Sequence, residues 1–481
     1  MNKCCNFIKL KKTTPYWWEY SIIFLVSMVM ILFYIYWDFK TLTIWSTSIL
    51  DCIVDGNLYD YYQVVADNVY NVHHSYNGYN YLSLIPWAIW NIPIWLLQRF
   101  AGINIVDHTL MLVWSKLFLV FMVAIIIFFT RKIIECFTDD DTLIKWSNYL
   151  IITSPFLFMA IALAGQTDVI VIALAVMAVY FLLKGKKGLF FLLMAFSISA
   201  KPFFIFAYIA VVLLIEKNII KIFLEIVVSF APSMLFNAIY ANAPMYKESI
   251  SAGTSNSIIG KTLENCIPAT GRAFIPTQID GKASIVVIGL VLIYFVAYFI
   301  NYEEKKEEKG NYIIYMMVAP MLVYMAFANY EFYRKVYLLP FLIIMFAINK
   351  KLWVVNVLLE KILGIVGVIL ALFGAFTAYL DCINRGLMQR FGLLQSVSKC
   401  KYNSLVALIA EKTGENFTVF QILCVSVFVA VSLILLVINF PYISKRLPKP
   451  KLNCNRAIYW LDSLVLLVIV VSLFLCYFNV L

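Results

Sequence analysis

Thirteen apolar runs, separated mostly by short basic turns, constrain this chain more than any other feature of its sequence. They lie near residues 20–37, 108–130, 146–164, 168–183, 188–200, 202–216, 219–240, 283–300, 311–328, 335–348, 352–380, 418–438 and 459–480. Crossing the hydrocarbon of a bilayer takes about 20 apolar residues in a helix. Runs 188–200 and 335–348 fall short of that and read as re-entrant or broken segments. Of the 481 residues, 63% are hydrophobic and 14% charged, against about 45–50% and 25% in soluble domains. That excess has no place in a water-soluble core of this length, so lipid is the expected solvent. The expected fold is an all-α integral membrane protein with about 11–13 transmembrane helices.

The net charge of +11 would in a soluble chain raise the question of nucleic acid. Here the basic residues punctuate the apolar runs, and topology accounts for them without a nucleic-acid partner. With the N-terminus in the cytosol, successive inner turns hold Lys9, Lys11 and Lys12, then Arg131 and Lys132, then Lys184, Lys186 and Lys187, then Lys217 and Lys221. They continue with Lys305, Lys306 and Lys309, Lys350 and Lys351, and Lys445, Arg446, Lys449 and Lys451. The segment 38–107 on the other side holds only Lys40 and Arg99. This is the positive-inside asymmetry. The first run is too long for the apolar region of a signal peptide, so it reads as a retained helix. The absence of a transit peptide and the short lysine-rich turns favour a bacterial plasma membrane.

The non-lipid sequence lies in three outer loops, 38–107, 241–282 and 381–417. Loops of that length are usually functional. The chain divides into a cytosolic start 1–19, a module 20–240 containing the loop 38–107, the loop 241–282 and a C-terminal module 283–481. The ten cysteines and three histidines show no metal-ligand spacing. Cys382 and Cys400 share the third loop and read as two free thiols or as a disulfide.

Within this frame a few polar residues stand out. Asp38 follows FYIYW at the outer end of the first run. A carboxylate against an aromatic wall has its pKa raised, which suits a general base; an ordinary polar helix end is the other reading. In ALAGQTDVIVIAL, Gly165 permits a tight turn, Gln166 and Asp168 interrupt the apolar stretch, and Asp168 opens a helix. It reads as a cap at the positive dipole end or as a second acid near Asp38. Lys201, in SISAKPFFIFAYIA, is a lone charge among apolar residues at a proline bend. It reads as a phosphate-binding cation or as a lysine snorkelling to the interface. Arg334, in NYEFYRK, either meets a phosphate bidentately or pairs with Glu331. Lys247, Lys261, Arg272 and Lys282 give the second loop the composition of a cover over an anionic ligand, or of an ordinary loop.

A helix ending in an acidic residue, a large first outer loop carrying LYDYY (58–62), GQTD (165–168), a basic KGKKG turn and a helix containing AKPF (200–203) follow one another in that order. This arrangement, over residues 20–216, resembles the GT-C superfamily of polytopic glycosyltransferases that use lipid-phosphate sugars, in particular its mannosyltransferase-like branch. The resemblance implies a bundle with an outward cavity roofed by short helices of the first loop. The donor would be a polyprenyl-phosphate sugar, and the acceptor a glycan or lipid-linked acceptor entering from outside. Asp38 would be the base, with Asp168 across the cavity, and Lys201, Arg334 and Arg272 would be candidates for the donor phosphate. Gln166, Asp51, Asp55 and Tyr59 would lie on the acceptor side. Many members carry two adjacent acids after the first helix, whereas Asp38 is followed by Phe39 and Lys40, which leaves Asp51 and Asp55 open as alternative bases. No cofactor is required, although the carboxylates could hold a divalent cation. There is no P-loop and no GxGxxG for a nucleotide. A surface-polysaccharide polymerase or ligase stays open through Arg385 and Arg390 in the third loop. A transporter or flippase stays open through Asp168 and Lys201 as a buried coupling pair, and a structural subunit is the plainest alternative.

Overall fold

The computed structural model describes residues 14–68, 81–249, 266–268, 282–302, 304, 308–328, 332–373, 379–451 and 456–481. Each of the thirteen apolar runs holds a helix. The first is α1 (Trp17–Phe33), followed by α2 (Trp37–Val54), the short α3 (Tyr61–Asp67) and α4 (Ile85–Ala101). Then come α5 (Thr109–Ile134), α6 (Asp141–Thr153), α7 (Pro155–Phe158, continued by a π-helical turn Met159–Leu163), α8 (Asp168–Leu183) and α9 (Lys187–Ala200). The chain continues through α10 (Ile205–Ile215), α11 (Ile219–Ser229) and α12 (Ala231–Tyr240). A two-stranded antiparallel pair of three residues each, β1 (Cys266–Pro268) and β2 (Lys282–Ser284), pairs Ile267 with Ala283 within an otherwise helical chain. It is followed by α13 (Ile285–Phe299), α14 (Lys309–Phe327), α15 (Leu339–Ile348) and α16 (Trp353–Phe373). The C-terminal part holds α17 (Arg385–Arg390), α18 (Leu405–Thr413), α19 (Phe417–Ile438), α20 (Pro441–Arg446) and α21 (Arg456–Tyr477).

Among the described residues, five single helices are long and apolar enough to cross a membrane: α5, α14, α16 with its preceding turn, α19 and α21. The pairs α6–α7 and α11–α12, bent by 42° and 45°, bring that number to seven. The remaining runs are shorter helices. Their brevity has local causes: Pro155 and Pro232 begin new helices at the two bends, and Pro202 opens a separate turn after α9.

Helix ends gather into two polar layers. In one, Arg456 at the start of α21 pairs with Glu19 at the start of α1 (2.5 Å), and Tyr20 OH donates to Lys145 O of α6 (3.2 Å). Lys217 after α10 donates to Tyr298 O of α13 (2.7 Å), and Lys351 donates to Lys445 O (3.1 Å). Lys217, Lys351 and Lys445, from three of the basic turns predicted from the sequence, meet their partners here. In the opposite layer, Asn384 N donates to Phe33 O (2.7 Å), Thr109 Oγ1 donates to Asn384 Oδ1 (3.1 Å), and Gln395 N donates to Tyr477 OH (2.8 Å). Cys382 and Cys400 are both free thiols in this layer, and burial pushes the Cys382 thiol up to about 12.

The first outer loop is not a peripheral polar excursion. Most of α2 is buried, and its small polar residues face a network with α4 and α5. Trp87 Nε1 donates to Ser115 Oγ (2.9 Å), while Asn91 Nδ2 donates to Ser46 Oγ (2.9 Å) and Ser115 Oγ (3.1 Å). Such side-chain bonds between helices satisfy groups that lipid cannot.

Candidate functional site

The site is set by where helices stop. At 1.5 Å per residue, the 16 residues of α8 and 14 of α9 reach roughly 24 and 21 Å, short of the roughly 30 Å of bilayer hydrocarbon. With their other ends in the basic layer, Asp168 and the residue after α9, Lys201, lie short of the opposite surface, at a level termed the recess. Both are buried, and Lys201 Nζ donates to Asp168 Oδ1 at 2.8 Å. Tyr337, from the 3-10 turn Phe332–Leu338, donates its hydroxyl to the same oxygen at 2.5 Å. The sequence leaves Lys201 open between a phosphate-binding cation, a snorkelling lysine and one half of a buried pair with Asp168; here its ammonium is bonded to Asp168, the counter-charge that a lone lysine in apolar surroundings needs. Among the described residues no hydrogen-bond partner reaches Asp168 Oδ2, Thr167 Oγ1 or Ser199 Oγ, three buried polar atoms in the turns around this pair.

Asp38 lies above the recess, but not at the end of the first helix as expected. That helix stops at Phe33, and Asp38 occupies the first turn of α2, where a carboxylate meets the positive end of the helix dipole. The break comes from tertiary partners. Tyr34 bridges to Ile383, Ile35 N donates to Cys382 O (2.7 Å), and Lys116 Nζ, fully buried, donates to Tyr34 O (2.7 Å), Ala162 O (2.8 Å) and Met30 O (3.4 Å). One ammonium thus ties the end of α1 to the π-helical turn, whose widened geometry leads into Gly165. Gly165 has φ +62°, and a Cβ there would fall 2.8 Å from the Phe39 ring, so both the backbone and the close approach require glycine. That approach delivers Gln166, whose Nε2 donates to Asp38 Oδ2 at 3.1 Å. Asp38 is an exposed residue.

Arg334 is half-buried at the same level. Its guanidinium lies 5.5 Å from the Phe203 ring and 5.7 Å from the Tyr333 ring, its Nε donates to Tyr333 OH (3.2 Å), and its charge acts on Asp168. Tyr333 also borders a small apolar cleft with Met159, Leu163, Val368, Leu372 and Ile469. Glu331, the alternative partner of Arg334, lies outside the described residues, as do Arg272 and Lys261.

The acceptor-side candidates separate. Gln166 belongs to the site. Asp51, 13 residues along α2 from Asp38, lies roughly 20 Å away along the axis. There Trp95 Nε1 donates to it (2.8 Å), and Arg99 pairs with it at 3.6 Å and with Asp55 at 2.7 Å. The Asp55 hydrogen bond raises the Arg99 pKa above its ordinary value. Tyr59 stacks on Tyr240 at 5.8 Å, joining the first loop to α12. Asp51, Asp55 and Tyr59 therefore form a separate region beyond the recess. Two site residues were not predicted. Lys116 carries the same signal as Lys201, a lone lysine in an apolar run, VWSKLFLV; Tyr337 carries no signal of its own. Among the described residues no three His, Cys, Asp or Glu side chains gather to hold a metal ion.

Compared with protein-family models, with curated proteins and with solved structures, this chain matches none.

Proposed function

We propose that the chain is a membrane-embedded glycosyltransferase that moves a sugar from a polyprenyl-phosphate donor to a glycan or lipid-linked acceptor at the recess. The observation that carries this reading is the exposed Asp38, its carboxylate held by Gln166 over a buried Asp168–Lys201 pair. A sugar hydroxyl is a weak nucleophile, and a fixed carboxylate that accepts its proton during attack on the anomeric carbon supplies the missing basicity. Leaving-group charge on the lipid phosphate is then met by Arg334, whose guanidinium lies at this level against the Phe203 and Tyr333 rings. Asp168, Lys201 and Tyr337 are positioning residues in this scheme: they fix the turns that carry Gln166 and the 3-10 turn that carries Arg334. With the basic layer on the cytosolic side, the recess opens extracytoplasmically, as cell-envelope polysaccharide synthesis in a bacterial plasma membrane requires.

A transporter is the second reading, favoured by one observation, the buried oppositely charged pair Asp168–Lys201 within the helical layer. One experiment separates them. Full-length protein in proteoliposomes is offered a panel of radiolabelled polyprenyl-phosphate sugars with lipid-linked and soluble glycan acceptors. Label moving covalently to an acceptor supports the transferase. Label crossing the bilayer on an unchanged donor supports the transporter and removes the transferase.

A further inference from the structure

A second buried charge cluster lies outside this site, between α16 and α21. Glu360 and Lys361 on α16 and Asp462 on α21 are each at most 1% exposed. Lys361 Nζ donates to Glu360 Oε2 (2.7 Å) and to Asp462 Oδ2. The cluster sits about one turn along α21 from Tyr459 and about two turns along α16 from Trp353, whose side chains hydrogen-bond near the basic layer, so it is inside the span rather than at its mouth. Two carboxylates face one ammonium. The nearest further groups leave that imbalance standing. Tyr149 of α6 donates to or accepts from Ser463 (3.2 Å), Tyr459 is held by Trp353, and Glu19 of α1 is matched by Arg456. α7 and α15 carry no ionisable side chain, and α19 brings only Cys424. The cations Arg334 and Lys335 belong to the turn whose Tyr333 meets α16 at Val368 and beyond, two turns further along.

The two remaining oxygens discriminate between ligands. Glu360 Oε1 and Asp462 Oδ1 are buried and have no hydrogen-bond partner among the described residues. A Cβ on Gly364 would fall 3.3 Å from Asp462 Oδ1 and 3.3 Å from Pro155 Cγ, so this oxygen lies beside the Gly364 methylene with the Pro155 ring at the same spot. Among the described residues nothing donates to this oxygen, and no group of three His, Cys, Asp or Glu side chains surrounds it to coordinate a metal ion. A buried carboxyl in that position is accommodated by neutralisation.

We propose that Glu360, Lys361 and Asp462 form a proton-binding site that at neutral pH holds one proton, on the Asp462 carboxyl at Oδ1. The proton comes from a hydronium ion of the aqueous phase: one O–H bond of hydronium breaks, one O–H bond forms on Asp462, a water molecule is released, and the cluster goes from a net charge of −1 to 0.

The test is infrared spectroscopy of full-length protein in lipid, independent of any transfer activity. In wild type a carboxylic C=O stretching band is expected, sensitive to deuterium exchange and shifted by carbon-13 labelling of the aspartate carboxyls. Asp462→Asn and Glu360→Gln should each remove one carboxyl's share of it, because either leaves a single carboxylate matched to Lys361. The labelled wild-type protein gives the answer even where a variant fails to fold. A band that ignores aspartate labelling, or no carboxylic band at all, overturns the proposal. So does a band of equal size in wild type and both folded variants.

Discussion

Two buried charge clusters share one chemistry and differ in one number. At the recess, Asp168 faces Lys201 one to one, with Tyr337 donating to the same carboxylate. Between α16 and α21, Lys361 faces two acids. The balanced pair lies at helix ends, where it fixes turns that carry other side chains. The unbalanced one lies within two long helices and is completed by a proton. The difference shows that burial alone does not say what a charged side chain in a membrane protein is for; the local charge sum does.

Substitutions can break this comparison. The largest effect is expected for Lys361→Met, which leaves two buried acids with no cation and should cost about 3–5 kcal/mol, read as thermal unfolding of the protein in detergent. If Lys361→Met is tolerated, the cluster is not held by its lysine. The next contrast sharpens the point. Asp168→Asn strands Lys201 and should cost roughly 2–5 kcal/mol, whereas Asp462→Asn replaces a neutral acid by a neutral amide and should cost less than about 1 kcal/mol. Equal losses would erase the distinction between the clusters. An effect smaller than that of losing either buried lysine–carboxylate partner, though larger than that of Asp462→Asn, is expected at the turn that joins the recess to Asp38. Gly165→Ala places a Cβ against Phe39 in a left-handed conformation and should cost about 1–3 kcal/mol, read by the same unfolding measurement. A variant as stable as wild type would mean that Phe39 shifts freely and that Gln166 is not held by this contact.

Much of the helical frame was legible in the sequence, because a helix in lipid must satisfy its own backbone and therefore declares itself as an apolar run. The lengths were less legible. FLVSMVMILFYIYW reads as one run to Trp37, yet α1 stops at Phe33 because Cys382, Ile383, Asn384 and Lys116 bond to its end. Three of those four partners lie some 350 positions away in the chain. Gln166 and Asp168 were legible as polar residues in an apolar stretch, and Gly165 as a turn. Their hydrogen bonds were not, since Asp38 lies 128 and Tyr337 lies 169 positions from its partner. Glu360, Lys361 and Asp462 are likewise plain in the sequence as charges inside apolar runs, but nothing local says that residues 101 positions apart meet. Asp51 and Asp55 show the converse: proximity to Asp38 in sequence becomes separation along a helix axis.

The most direct measurement is the rate of sugar transfer by Asp38→Asn against wild type, in proteoliposomes with the donor that wild type uses best and with folding of both proteins verified. The expected result is robust transfer by wild type and a fall of about 10²- to 10⁴-fold in the variant, with donor binding retained. Transfer at the wild-type rate by folded Asp38→Asn would contradict the assignment of Asp38 as the base, and no transfer from any donor by folded wild type would contradict the transferase itself.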